Sequence, residues 1–307
     1  MSRSKILIGT ALTCAAGIAF AGNSTAAKLA YEGGTNPLTY LTLRAALAAL
    51  LVLAIIVLTR RSLRMPPRRR LAALGLGGLA AFYSYGLLSA IEFIPVALAV
   101  LIFYTFPLFT SAFTWLSGRE KPNAISISAL IVAFAGLAIA LDVGGEQLNF
   151  EGVALAFMAA LGLTAVVILN SRMVGASDPN PVTFHMMLSA AVIGLVCTLL
   201  FSEIALPDTS KGWFHLGVGT TLFACAIVTI FFALSLAGTL ATSLTMNIEP
   251  VASLIFGVLI LGQVLTGWQI AGAALVIAAV LSVRLADLRK SDAPSDPSRD
   301  TSQEARP

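Results

Sequence analysis

Long apolar runs alternate with short polar breaks along this chain, and ten runs can be drawn: roughly 5–30, 37–59, 71–92, 95–117, 124–141, 151–170, 181–201, 213–236, 239–261 and 267–286. Each approaches the ~20 apolar residues that cross a bilayer as a helix. Several carry Gly or Pro, which membrane helices tolerate better than soluble ones. The pattern predicts an all-α membrane protein of ten transmembrane helices, with loops too short to place much mass outside the lipid. From Ser291 the pattern stops, and the polar, Pro- and Ser-rich stretch 291–307 predicts a disordered cytoplasmic tail.

Landmarks recur along these runs. An offset of 143 pairs Pro107 with Pro250, Gly9 with Gly152 and Glu120 with Gln263; an offset of 144 pairs Pro37 with Pro181 and Lys28 with Arg172. Residue identity at these offsets is otherwise close to chance, so the repeat rests on the order of spans and landmarks. Each copy holds five spans, and an odd number forces the second copy to enter the membrane upside down. Two inverted five-helix repeats are therefore expected, 1–146 (helices 1–5) and 147–290 (helices 6–10). Inverted repeats of this kind place a substrate site near the midplane, where the halves meet.

Composition agrees: 58% hydrophobic and 11% charged residues, with mean hydropathy +0.91, against roughly 25% charged residues in soluble chains. The first run starts at Ile6 without a small-residue cleavage site, so no removed signal peptide is expected. Cys14, Cys197 and Cys225 fall singly inside apolar runs and read as packing residues. Basic residues set the orientation. Sixteen Lys and Arg fall on one side, including the six arginines of T-R-R-S-L-R-M-P-P-R-R-R, and only Lys28 and Lys211 on the other. By the positive-inside rule both termini are cytoplasmic. The arginine run sits between two spans, so it reads as a topology signal and not as a nucleic-acid site.

The candidate chemistry is concentrated in T-S-L-T-M-N-I-E-P-V-A-S, Thr242–Ser253. Glu249 comes about ten residues into its span, at ~1.5 Å per residue some ~15 Å deep. A carboxyl at that depth is expensive and marks a functional site by default. Pro250 removes a backbone hydrogen bond beside it. Thr242, Thr245 and Glu249 share one helix face, and Asn247 adds an amide. The matching stretch of the first copy, Y-T-F-P, puts Tyr104 and Phe106 before Pro107, so an aromatic stands where the second copy has its acid. Tyr83 and Tyr85 fall at similar depth, Asn23 lies too deep to snorkel, and Arg44 sits about a third of the way into the second span. Lys28 is close enough to a span end to snorkel. The expected substrate lining is Glu249, Asn247, Thr245, Thr242, Tyr104, Phe106, Tyr83, Tyr85, Asn23 and Arg44, with Pro107 and Pro250 as helix breaks.

Enzyme chemistry finds no purchase. There is no H-E-x-x-H, no pair of membrane aspartates, no nucleophile elbow and no Gly-rich phosphate loop. Glu249 has no second deep acid to work with. His185 and His215 lack ligand spacing to another His, Cys or Asp, so neither a metal nor a cofactor is expected. A secondary carrier remains, with a facilitator close behind.

The segment L-A-T-S-L-T-M-N-I-E-P-V-A-S-L-I-F-G-V-L-I-L-G-Q-V-L-T-G-W-Q-I-A-G-A-A-L-V-I-A-A-V resembles the closing helices of the EamA-type family of the drug/metabolite transporter superfamily. The Glu-Pro, the Leu-Gly before a polar residue and the Gly-x-Gln-x-x-Gly cadence carry the resemblance. The first copy matches more loosely, through Asn23, Lys28, Pro37, Arg44, Y-T-F-P and G-R-E, and the likeness covers residues 6–286. It implies ten helices with both termini cytoplasmic, a central cavity lined by the Pro helices, and export of small metabolites across the cell inner membrane. Two departures stand out: Gln263 replaces the family's usual Glu, and Phe106 leaves the first copy without an acid. The family spans amino acids, their derivatives, amines, sugars and drugs. One deep acid and one deep base suit an amino acid handled by alternating access. A hydrophobic organic cation, using Glu249 and the aromatic side without Arg44, is the alternative. Protons are the expected coupling partner at Glu249, and monomer and homodimer both remain open.

Overall fold

A computed structural model of the chain describes residues 3–117, 124–142, 149–173 and 179–291. Among them every regular element is an α-helix: α1 (Arg3–Glu32), α2 (Pro37–Leu58), α3 (Pro67–Phe93), α4 (Val96–Phe103), α5 (Phe106–Leu116), α6 (Ala124–Asp142), α7 (Phe150–Met173), α8 (Pro179–Phe201), α9 (Ser210–Thr245), α10 (Ile248–Leu259) and α11 (Gly267–Ser291). Six segments are long and apolar enough to cross a membrane, from α1, α2, α3, α7, α8 and the Ser210–Ile230 part of α9. Four shorter apolar stretches accompany them among the described residues: Val96–Thr110, which spans α4 and the start of α5, Ile127–Gly136, Ile248–Leu259 and Gly267–Ala279. The outer faces are apolar as well, with Leu50, Leu161, Leu199 and Phe201 exposed, as suits a bundle solvated by lipid. The arginines at 60, 61, 64, 68, 69 and 70 are all exposed in and beside the α2–α3 loop. Arg119, Glu120 and Lys121, and the tail beyond Ser291, lie outside the described residues.

The helix starts are written locally. Asn36 accepts from the Thr39 N–H at 2.8 Å with Pro37 at the first helical position of α2, the arrangement that satisfies an orphan donor. Thr266 and Gln269 close a reciprocal capping box at α11: Thr266 Oγ1 accepts from Gln269 N at 3.2 Å, and Gln269 Oε1 from Thr266 N at 3.0 Å. The Gly267-x-Gln269 step of the sequence is thus partly a helix start. Within the helices hydroxyls bond back one turn, as Thr13 does to Gly9, Thr25 to Ala21 and Thr198 to Gly194. Such bonding removes a polar group that lipid cannot solvate.

Small residues bring the helices together, as expected where lipid offers no hydrophobic drive for association. Gly136 of α6 and Gly272 of α11 each abut the other's backbone so closely that a Cβ on either would collide. At the centre lies α4, buried from Val96 to Phe103 and packed between α7 and α10.

Two predicted spans take another form. The fourth, 95–117, is not one helix: α4 ends at Phe103, Tyr104 and Thr105 form a turn, and α5 starts at Phe106 with Pro107 second. Proline has no N–H for the preceding turn, and the helix must restart around it. In the second copy helical bonding runs unbroken through the predicted boundary at 236–239, and the interruption comes at Met246–Asn247. Straight, the 36 residues of α9 would extend ~54 Å. Yet Leu222 and Phe256 both approach the place a Cβ on Gly22 would occupy, at 2.9 and 3.8 Å. α9 is therefore not straight between Leu222 and the interruption at Met246–Asn247. Pro95 separates α3 from α4.

Candidate functional site

Both proline breaks face one cavity of about 320 Å³. Its wall takes Phe20, Asn23 and Ser24 from α1, Arg44 from α2, Tyr83 and Leu87 from α3, and Phe103 from α4. The first break adds Tyr104, Phe106 and Pro107; Leu163 comes from α7; Phe223, Ile230, Thr242 and Met246 come from α9 and its end; and Asn247 and Glu249 come from the second break. Arg44 and Glu249, a full basic and a full acidic group, are 4% and 6% exposed.

Pro250 explains the geometry around the acid. In an unbroken helix its N–H would bond to the carbonyl four residues back, that of Met246. That carbonyl instead accepts from Glu249 N at 3.1 Å, a tighter turn, and its oxygen lies 3.2 Å from the Tyr104 hydroxyl. The same hydroxyl donates to Glu249 Oε2 at 2.6 Å. A single phenol on the first break thus lies within hydrogen-bond distance of two polar groups of the second. Thr242 adds a buried hydroxyl without a hydrogen-bond partner. Most buried threonines elsewhere bond back into their own helix, so this one is open to whatever enters the cavity.

Across the cavity Arg44 is held from two sides. The Phe223 ring lies under its guanidinium at 4.3 Å, a cation–π contact. The Asn23 amide is satisfied with its oxygen accepting from Arg44 Nη1 at 3.1 Å and its nitrogen donating to the Gly219 carbonyl at 3.2 Å. Tyr40 donates to the Asn23 backbone carbonyl at 3.1 Å, which fixes the amide-bearing turn of α1. A guanidinium has five donors, so a fixed, desolvated cation with donors to spare faces the space beside Glu249. Carboxylate recognition is the chemistry such a group performs best.

Of the residues singled out from sequence, Asn23, Arg44, Tyr83, Tyr104, Phe106, Pro107, Thr242, Asn247 and Glu249 stand on the cavity wall. Thr245, half-buried at the end of α9, Tyr85, exposed on α3, and Pro250, buried behind Glu249, do not. Tyr85 follows Tyr83 by two residues, about 200° around a helix, so the two cannot face the same way. Phe20, Leu87, Phe103, Leu163, Phe223, Ile230 and Met246 were not singled out. Their apolar side chains carry no signal that separates a cavity wall from a lipid face. Lys28 Nζ donates at 3.1 Å to the Glu92 carbonyl, an exposed contact one residue before the end of α3. His185 Nδ1 lies 2.7 Å from the Pro181 carbonyl, and no cluster of His, Cys, Asp or Glu able to hold a metal occurs among the described residues.

The EamA-like transporter family model matches residues 7–141 and again 150–285. The chain belongs to this family. The EamA-like chain is 28% identical over 252 residues to a threonine/homoserine exporter, RhtA, of Salmonella typhimurium, covering 79% of this chain and 80% of that one. The Escherichia coli K12 exporter of the same name is 27% identical over the same length. A Synechocystis protein described as an uncharacterized transporter, sll1319, is 23% identical over 211 residues, spanning 66% of this chain but only 63% of its own length. A solved crystal structure shares the fold, with TM-score 0.64 at 21% identity, covering 94% of this chain and 99% of its own. With its apolar helices, the EamA-like chain is a multi-pass membrane transporter.

Proposed function

We propose that this transporter exports small zwitterionic metabolites, amino acids or close derivatives, by alternating access between two inverted five-helix halves, 1–146 and 147–290. In this reading ten crossings of the inner membrane leave both termini in the cytoplasm. One observation carries it: a buried guanidinium and a buried carboxyl share a cavity of about 320 Å³, at the small end of the ~300–1,000 Å³ typical of ligand sites. Arg44, with Asn23 behind it, takes the carboxylate of the substrate. Glu249, with Thr242 and Asn247, takes the ammonium, and Tyr83, Tyr104 and Phe106 wall the space between. Glu249 can hold either a proton or the substrate's ammonium, which makes exchange of one for the other the coupling step. The RhtA proteins, named as threonine/homoserine exporters, support an amino-acid substrate.

The phenylalanines at 20, 103, 106 and 223 on the same wall favour a second reading, efflux of an organic cation, which would need Glu249 and the rings but not Arg44. Flux through proteoliposomes separates the two. We expect the wild type to carry threonine or homoserine. Arg44→Ala should slow that flux by about tenfold or more, the consequence of removing one side of a buried charge contact. Lipophilic-cation flux that survives Arg44→Ala, with no amino-acid flux in the wild type, would overturn the zwitterion reading.

A further inference from the structure

Tyr104 has one proton and two acceptors. Its ring is fixed by edge-on packing against Phe103 and Phe106, with centroids 5.9 and 6.1 Å apart. Its hydroxyl oxygen is 2.6 Å from Glu249 Oε2 and 3.2 Å from the Met246 carbonyl. A phenol donates once, so it cannot serve both acceptors. Glu249 decides which. An ionised carboxylate can only accept, and it draws the phenol proton into a short, charge-assisted bond. A protonated carboxyl donates to the phenol oxygen instead, which leaves the phenol proton for Met246. The Met246 carbonyl, which Pro250 deprives of its usual helical donor and which Glu249 N takes up in a tighter turn, sits at the point where α9 gives way to α10.

We propose that Tyr104 is the positioning residue through which the charge state of Glu249 reaches the break between α9 and α10. With the proton on Glu249, a two-bond chain runs from the carboxyl through the phenol to the Met246 carbonyl and clamps the second break to the first. When the proton leaves, the phenol turns to the carboxylate and the Met246 carbonyl is released. The break can then move relative to α4. The groups that face Glu249 are Arg44 from α2, Tyr83 from α3 and Tyr104 from the end of α4; α1 presents Gly17, which cannot ionise. Tyr104 is the one of these whose hydroxyl meets both the carboxyl and the Met246 carbonyl of the break. The proposal rests on the proton exchange assigned to Glu249 above.

Amide hydrogen exchange in residues 246–253 of the purified, substrate-free protein tests it without transport. For the wild type we expect protection of this segment to rise by about tenfold from alkaline to acid pH, beyond the intrinsic chemistry, the scale of one hydrogen bond to an ionisable group. Tyr104→Phe keeps the ring and removes the hydroxyl, so its protection should not vary with pH. Glu249→Gln should hold the protected level at every pH, because a carboxamide can donate to the phenol as the protonated acid does. A wild-type pH profile in Tyr104→Phe, or a pH-responsive Glu249→Gln, would overturn the latch. If Tyr104→Phe melts early, the Glu249→Gln profile alone decides. Flux assays of the same proteins keep the two ideas apart. Absent amino-acid flux in the wild type removes the proposed function, whereas pH-dependent flux untouched by Tyr104→Phe removes only the latch.

Discussion

Pro107 and Pro250 interrupt their spans in the same way, each a few residues after a two-residue turn, but the polar groups around them are disposed in opposite fashion. The first break is lined by hydroxyls that bond to nearby carbonyls. Thr105 Oγ1 donates to the Ile102 carbonyl at 2.6 Å, Thr110 Oγ1 to the Phe106 carbonyl at 2.9 Å, and Thr164 of α7 approaches that carbonyl at 3.1 Å. The second break is not. The hydroxyls of Thr242 and Ser253 are buried without partners, Glu249 is a buried acid, and the Met246 carbonyl draws on a hydroxyl from the other break. Proline supplies the same backbone opening twice, and the residues around it decide use. Where the hydroxyls nearby are satisfied the break serves as an anchor, and where buried polar groups lack partners it becomes a place for a ligand or a proton.

The sharpest way to break this contrast is at Gly17. A Cβ there would collide with the Ile248 side chain and lie 3.5 Å from Glu249 N. Gly17→Leu should wedge α1 away from the second break, abolish flux and destabilise the protein by about 1–3 kcal/mol, the usual range for overpacking. Flux assays and thermal melts read both effects, and a fully active protein would mean that the second break tolerates displacement.

The two prolines give an intermediate effect. Pro250→Ala restores an N–H able to take the Met246 carbonyl, straightening the active break and removing an acceptor of Tyr104. We expect initial rates to fall about tenfold, and those of Pro107→Ala to change by about twofold or less. Equal losses would erase the asymmetry. The smallest effect belongs to Thr164→Val, which removes one hydroxyl from the Phe106 carbonyl at the anchored break. It should lower stability by about 0.5–1.5 kcal/mol and leave the affinity of the cavity unchanged, as melting and binding measurements can check.

The membrane character and the all-helical build were legible because each is a local property. An apolar run long enough to cross lipid must satisfy its own backbone, and a helix is the way one segment does so. The polar part of the cavity was legible for a related reason, since Asn23, Arg44, Thr242, Asn247 and Glu249 stand out against an apolar background. Its apolar part was not. Phe223 lies beneath Arg44 while Phe201 is 80% exposed, and nothing in their local sequence tells them apart. A helix with one face in lipid and the other in protein is hydrophobic all round, so periodicity no longer reports which side is inside. Tyr83 and Tyr85 show the same limit, being equal in depth but opposite in direction.

Sequence alone determined that this chain is a helical membrane protein, that prolines interrupt two of its spans, and that one deep acid accompanies the second. These depend on the solvent and on residues a turn or less apart. Only the tertiary structure decided that the Tyr104 hydroxyl meets Glu249, that Arg44 is braced by Asn23 and Phe223, and that both breaks face one cavity. Such pairings join residues far apart in the chain through side-chain geometry. A carboxyl deep in lipid must find partners, but which ones it finds depends on how all the helices pack at once.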